Sequence, residues 1–228
     1  MRALFEFGKK PRLRFVSHLD LQRFMQMALR RTQLPVAYSQ GFNPHPQMSF
    51  ASALAMGWTS QAEILDVKLS HDVETEFAKS QMNAALPPDL PLGRVRLVED
   101  GHPKLMARLS MADYAITLHG PEGAALAAQA PIFLARESVV ALRKTKSGEK
   151  PTDIRTMCIS LEQKQTEDGA CLFARLMLTE QATLKPDLLL SVLGEWAGVE
   201  AERARPQIHR TALLGLDGDE NATDLFML

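Results

Sequence analysis

Two histidines sit where chemistry could use them. His18 stands second in "SHLD" (17–20), and His45 lies between two prolines in "YSQGFNPHPQMSF" (38–50). Ser17 is a preferred N-cap residue, and Asp20, three residues on, is a capping-box acid. His18 therefore falls in the first turn of a helix, where the dipole disfavours its charged form. A neutral imidazole there can donate a hydrogen bond, act as a base or ligate a metal. The same helix start offers free N–H groups to an anion, with Arg12 and Arg14 just before it and the Ser17 hydroxyl beside it. A phosphate of RNA or of a cofactor could dock there. An ordinary cap with exposed arginines accounts for the residues equally well.

The second stretch is stiffer than a loop requires. Pro44 and Pro46 fix their own φ and push Asn43 and His45 out of the helical region. Such rigidity suits presentation of a contact element, where misplacement by about 1 Å is costly. Phe42 could stack on a base, Asn43 bond its edge, and His45 act on a proton or a metal. The alternative is a buried turn, with Phe42 in the core and Asn43 capping it.

A third candidate is "RKTKSGEKPTDIR" (143–155). Five cations (Arg143, Lys144, Lys146, Lys150, Arg155) against Glu149 and Asp153 give it +3, and a basic hairpin tip can grip phosphates. Asp153 and Arg155 share one strand face, so they could pair or reach one site together. The other histidines, His71, His102, His119 and His209, have no ligand spacing, and no HExxH, P-loop, dinucleotide fingerprint or serine elbow is present.

These residues need elements to hold them. "RALFEF" alternates and reads as a strand, and "RLRFV" continues extended. After Ser17, Leu21, Phe24, Met25, Ala28 and Leu29 follow at helical spacing, with Arg30 and Arg31 at the C-terminal turn, where the dipole favours cations. "PVAYS" and "MSFASAL" flank the proline loop as short strands, "AEILDVKLS" is a strand, "DVETEFAKSQMNAAL" a helix and "GRVRLVED" a strand. "GHPKLMARLS" reads as a connector. The order then recurs: strand "ADYAITLHG", helix "PEGAALAAQA", strands "ESVVALRKT", "DIRTMCISLEQ" and "ACLFARLMLT", helix "KPDLLLSVLGEWAG", strand "RPQIHRTALLGL". The expected fold is α+β, with two ferredoxin-like (β-α-β-β-α-β) halves. The expected domains are 1–104, 105–216 and an acidic tail, 217–228.

The bulk composition narrows the function. With 46% hydrophobic and 23% charged residues among 228, this is an ordinary globular chain. The formal net charge of −1 argues against a wholly electrostatic binder, but the charge is uneven. Residues 1–48 hold eight Lys/Arg against Glu6 and Asp20, a net +6, while 211–228 hold four acids and no base. A polyanion-facing N-terminal region and a solvated acidic end are the expectation. Cys158 and Cys171 are too few for a disulfide scaffold. They fall on the two arms of one hairpin, where a turn near Gln165–Asp168 sets Cys158 opposite roughly Leu176 rather than Cys171. Both are expected to be reduced and buried. Without a cysteine cluster motif the chain is not expected to hold an iron–sulfur cluster by itself. "MRALFEFGKK" does not read as a signal peptide, and no apolar run reaches a membrane span, so the expected compartment is the cytoplasm.

Residues 14–69 resemble the radical-SAM-associated domain family, a group of unknown function. Its hallmarks are the Ser-His-Leu-Asp segment (Ser17 to Asp20), the pair Arg30-Arg31 and the Tyr-Ser-x-Gly-Phe-Asn-Pro-His-Pro loop (Tyr38 to Pro46). "AEILD" (Glu63, Asp66) and "KTKSGEKPTDIR" also fit. The resemblance implies a partner, a radical SAM protein that carries a cobalamin-binding region, with this chain as its stand-alone companion. The leading expectation is an accessory, substrate-presenting module for that enzyme, with RNA the substrate. A metal-independent RNA-cleaving enzyme using His18 and His45 as acid and base is the rival, and a structural interaction domain is the third reading. The candidate substrate-binding set is Ser17, His18, Asp20, Arg30, Arg31, Tyr38, Ser39, Phe42, Asn43, His45, Lys144, Lys146, Asp153 and Arg155. No cofactor and no metal are assigned. The "SHLD" start and the proline loop are expected to face each other across one pocket.

Overall fold

The computed structural model describes residues 1–145 and 148–228, with side chains for all of these except 144 and 145. It is an α+β protein of two units, 1–109 with 215–228, and 110–214.

The first unit runs β1 (Arg2–Lys9), α1 (His18–Arg31), β2 (Met48–Phe50), β3 (Thr59–Lys68), α2 (Thr75–Ala85), β4 (Leu92–Val98) and the short α3 (Leu105–Arg108). Its sheet has the order β4-β1-β3 with β2 on the far side of β3, and all three pairings are antiparallel. Strand alternation sends Ala3, Phe5, Phe7, Leu65 and Val67 to one face, where they pack with Leu21, Met25 and Leu29 of α1 and Ala78 and Met82 of α2. The start of α1 is as its sequence predicts: the Ser17 hydroxyl accepts the Asp20 N–H at 3.2 Å.

Two expectations fail here. "RLRFV" does not continue extended; Pro11 opens a 3-10 turn over Pro11–Leu13 instead, since its φ suits a first helical position. "PVAYS" forms no strand of its own, only the isolated bridges Val36↔Leu69 and Tyr38↔Pro46.

The acidic end is not a solvated tail. Residues 215–228 belong to the first unit, with Leu225 and Phe226 buried. Arg94 lies over the Phe226 ring at 4.5 Å and pairs with both Glu6 and Asp224, and Arg96 donates to the Phe226 carbonyl at 3.0 Å. Asp217 accepts the N–H groups of Asp219 and Asn221, closing a turn. These acids cap turns and pair with arginines around two apolar residues. This segment packs on Arg94 and Arg96 of β4, and β1 beside β4 is buried along nearly its whole length, where alternation alone predicts one face.

The second unit runs β5 (Leu109–His119), α4 (Gly120–Ala127), α5 (Ala130–Leu134), β6 (Val140–Thr145), β7 (Gly148–Asp153), β8 (Cys158–Thr166), β9 (Gly169–Met177), α6 (Pro186–Ala197) and β10 (Gln207–Leu216). Its sheet has the order β10-β5-β9-β8, and β6 and β7 form a separate two-stranded hairpin. Sequence reading missed β7: "GEKPTD" has no strong β-former and contains a proline. Pairing with β6 makes it a strand. Cys158 pairs with Leu176, as the hairpin turn predicts.

Candidate functional site

The proline loop is an exposed projection with a pinned base. Ser39 N–H donates to the His45 carbonyl at 2.9 Å, and the Ser39 hydroxyl accepts the His45 N–H at 3.0 Å. Gln47 N–H reaches the Ala37 carbonyl, and the Gln47 amide donates to the Tyr38 carbonyl. Pro46 is buried beneath this ladder, whereas Gly41 takes φ +120° with open space beside it. Phe42 is 109% exposed, and Asn43 and His45 are exposed with it. The buried-turn reading of Phe42 is thus wrong. Ser39 serves as a staple, and Tyr38, 39% exposed, leads into the loop.

Beyond the loop, β2 borders a cleft of about 410 Å³ lined by Gln47, Met48, Ser49, Arg2, Asp66, Lys68, Asp100 and Lys104. Arg2 and Asp66 form a buried bidentate pair at its floor. Lys68 pairs with Asp100 at 3.0 Å, and that hydrogen bond holds the Asp100 carboxyl below its usual range. Three cations against two carboxylates leave the cleft one charge positive. Sequence reading passed over this cleft. The one local signal was Asp66, a carboxylate inside a run of β-formers that is otherwise buried.

At the start of α1 the carboxylate of Asp20 already stands where an anion would dock. It accepts the Ser17 hydroxyl at 2.7 Å and Arg23 at 3.2 Å. A phosphate docking beside Ser17 would meet that negative charge. Arg12 lies 3.8 Å from Asp89, and Arg14 covers Phe15 at 4.5 Å. Arg31 donates to the Ala85 carbonyl at the end of α2, and Arg30 is exposed.

His18 and His45 occupy different surroundings. The His18 ring meets the Phe50 ring edge-on at 5.0 Å between centroids. His45 lies five residues before Phe50 along extended chain, about 16 Å away at Cα. The apolar hollow beside α1, lined by Lys9, Leu13, Val16, Leu21, Phe24, Pro87 and Leu90, includes no loop residue, and the charged cleft includes no α1 residue. The expected shared pocket is absent from both.

In the second unit, Asp153 and Arg155 are braces. Asp153 accepts the N–H groups of Val139 and Arg155, both at 3.0 Å, which holds its carboxyl below the usual range. The Arg155 guanidinium donates to the carbonyls of Leu134 and Cys158. Their polar atoms tie the hairpin base to α5 and β8. Lys146 and the Lys144 side chain lie outside the described residues.

A profile of the family described as "Uncharacterized protein conserved in bacteria (DUF2344)" matches residues 2–186. The chain belongs to this family. No curated protein matches it. Among solved structures, this DUF2344 chain aligns with one from the crystal structure of a Cbf5-Nop10-Gar1 complex, at 10% identity and a TM-score of 0.53. The alignment covers 92% of this chain and 48% of the other, so the DUF2344 chain spans about half of that neighbour. The likeness is one of fold. A crystal structure of an unknown protein from Galdieria sulphuraria aligns at 13% identity, over 92% of this chain and 97% of that one, with a TM-score of 0.27.

The thiols of the DUF2344 chain are unpaired with each other, as expected. Burial pushes the Cys158 thiol up to about 11 from 9.0. The folded state therefore keeps a proton that the unfolded chain loses, and stability falls as pH rises from about 9 to about 11. Thermal midpoints at pH 8 and pH 11 should drop further in the natural protein than in Cys158→Ala. An equal drop in both would show that this thiol does not titrate out of step.

Proposed function

We propose that the DUF2344 chain is an accessory module that presents a single-stranded RNA segment to a radical SAM enzyme with a cobalamin-binding region, the two proteins acting together in the cytoplasm. The observation that carries the reading is the fully exposed Phe42 ring on a pinned loop that runs directly into the cation-bearing cleft. A bare aromatic ring held out in water gains free energy when a base stacks on it, and the cations of Lys68 and Lys104 suit the neighbouring phosphates. Both units also suit a ferredoxin-like assignment, because the order fourth-first-third-second recurs in each, with β6 and β7 as an insertion in the second.

The test is binding of an unstructured RNA oligonucleotide across a salt series. Two to three phosphates held in the cleft give a log–log slope of about −1.4 to −2.1, from about −0.7 per phosphate. The protein alone should bind the RNA and leave it intact, with modification appearing only when the radical SAM protein is added. Cleavage by the purified chain that disappears in His45→Gln would overturn the reading. An affinity that ignores salt would remove the phosphate contacts from it.

A further inference from the structure

The hairpin of the second unit has two edges, and they are treated differently. In the β6–β7 ladder Leu142 stands opposite Pro151. Proline cannot donate, so this is a pair without exchanged hydrogen bonds. The Ile154 N–H donates to the Val139 carbonyl at 2.8 Å, which sets the same parity: 139, 141 and 143 bond inward to β7. Val140 and Leu142 therefore aim both N–H and C=O at the outer edge of β6. On β7 the outward residues are 149, 151 and 153, and there Pro151 blunts the edge, as soluble proteins ordinarily do. The β6 edge has no such guard. Val140 is 66% exposed and Leu142 59%.

That open edge borders a groove. A hollow of about 550 Å³ lies between β6 and one face of α6, floored by Leu188, Val192 and Trp196, with Arg136 lying 5.2 Å from the Trp196 ring centroid. Among the described residues, the outward N–H and C=O groups of Val140 and Leu142 have no protein partner, and such a row beside a largely apolar trough is what an added strand requires. The backbone supplies the bonds and the trough takes alternate side chains.

We infer that this groove docks an extended acidic peptide segment of a protein partner, added as a strand to β6 with its apolar side chains on α6. The charge of the hairpin selects the acidic occupant. In the sequence, residues 140–153 carry Arg143, Lys144, Lys146 and Lys150 against Glu149 and Asp153, a net +2, while Arg136 and Glu195 at the trough offset each other. A second copy of this chain would bring two basic hairpins together, like charge against like. The inference does not depend on RNA binding at the first unit.

The probe is a capped octapeptide alternating Glu and Val, labelled and titrated with the full chain by fluorescence anisotropy. Saturable binding weakened by salt is expected. Leu142→Pro should weaken it about tenfold, because it removes an outward donor while a non-bonded pairing with β7 survives. Leu142→Val, which keeps the N–H, should bind as the natural protein does. The same peptide N-methylated on alternate residues should not bind, which holds even if Leu142→Pro fails to fold. No binding up to about 1 mM overturns the proposal. So does equal binding of the N-methylated peptide, which would mean side chains alone are read. A concentration-dependent dimer that Leu142→Pro abolishes would assign the edge to a second copy instead. Displacement of the peptide by single-stranded RNA with no effect of Leu142→Pro would assign the surface to nucleic acid.

Discussion

Asp66→Ala should destabilise the first unit by about 3–5 kcal/mol, the cost of removing one partner of a buried ion pair. Asp66 and Arg2 are each only 7% exposed, and the carboxylate takes both Nε and Nη2 of the guanidinium. The other Arg2 donors go to the carbonyls of His102 and Pro103. Those carbonyls solvate the guanidinium but cannot neutralise it, and the Asp66 hydrogen bond is the largest influence holding its proton. Alanine would strand a positive charge under the connector. Arg2→Met with Asp66→Leu should recover most of the loss, because charge and countercharge leave together. The chain has one tryptophan in each unit, Trp58 and Trp196, so urea unfolding followed by Trp58 in a Trp196→Phe background reports the first unit alone. A loss below about 1 kcal/mol would mean that water reaches the pair and that it behaves as a surface bridge.

What was legible in the sequence was local. Ser17, Asp20 and the spacing from Leu21 to Leu29 fix α1, because cap and stripe lie within one turn or two of each other. The pairing of Cys158 with Leu176 followed from one short turn. The misses involve partners distant in sequence. Asp66 could be read as a charged residue in a strand, but its partner Arg2 lies 64 residues earlier. The acids after Asp217 suggested solvent because Arg94 and Arg96, which pair with that segment, are more than a hundred positions away. Asp153 and Arg155 do not share the expected strand: β7 ends at Asp153 and Arg155 lies in the turn before β8, because their polar atoms bond main-chain groups that no side-chain pattern displays. Asp20 carries two roles at once: the acid that marks the helix start also binds the N-cap hydroxyl, where it would repel a docking anion.

Phe42→Ala should lower affinity for single-stranded RNA by about 1–3 kcal/mol, the value of one base stacked on an aromatic side chain. It should leave the thermal midpoint unchanged, since a fully exposed ring contributes no packing to the fold. The chemistry of the replacement tells a base from a protein partner. Stacking needs a π-face, so Phe42→Trp should retain or tighten binding while Phe42→Leu should lose nearly as much as alanine. A protein pocket that merely buries apolar area would accept leucine at a cost of well under 1 kcal/mol. Loop rigidity is a separate contribution. Ser39→Ala removes the acceptor of the His45 N–H, and Pro44→Ala frees the tip without touching the buried Pro46. Each should weaken binding by up to about 1 kcal/mol, through ordering cost rather than lost contact. His45→Gln keeps a polar edge at the same position, so a presenting role predicts a loss of about 1–3 kcal/mol in affinity with no change in turnover by the assembled enzyme at saturation. Should Phe42→Leu match the natural protein, the loop would be a protein-docking element and the RNA reading would fail at its central contact.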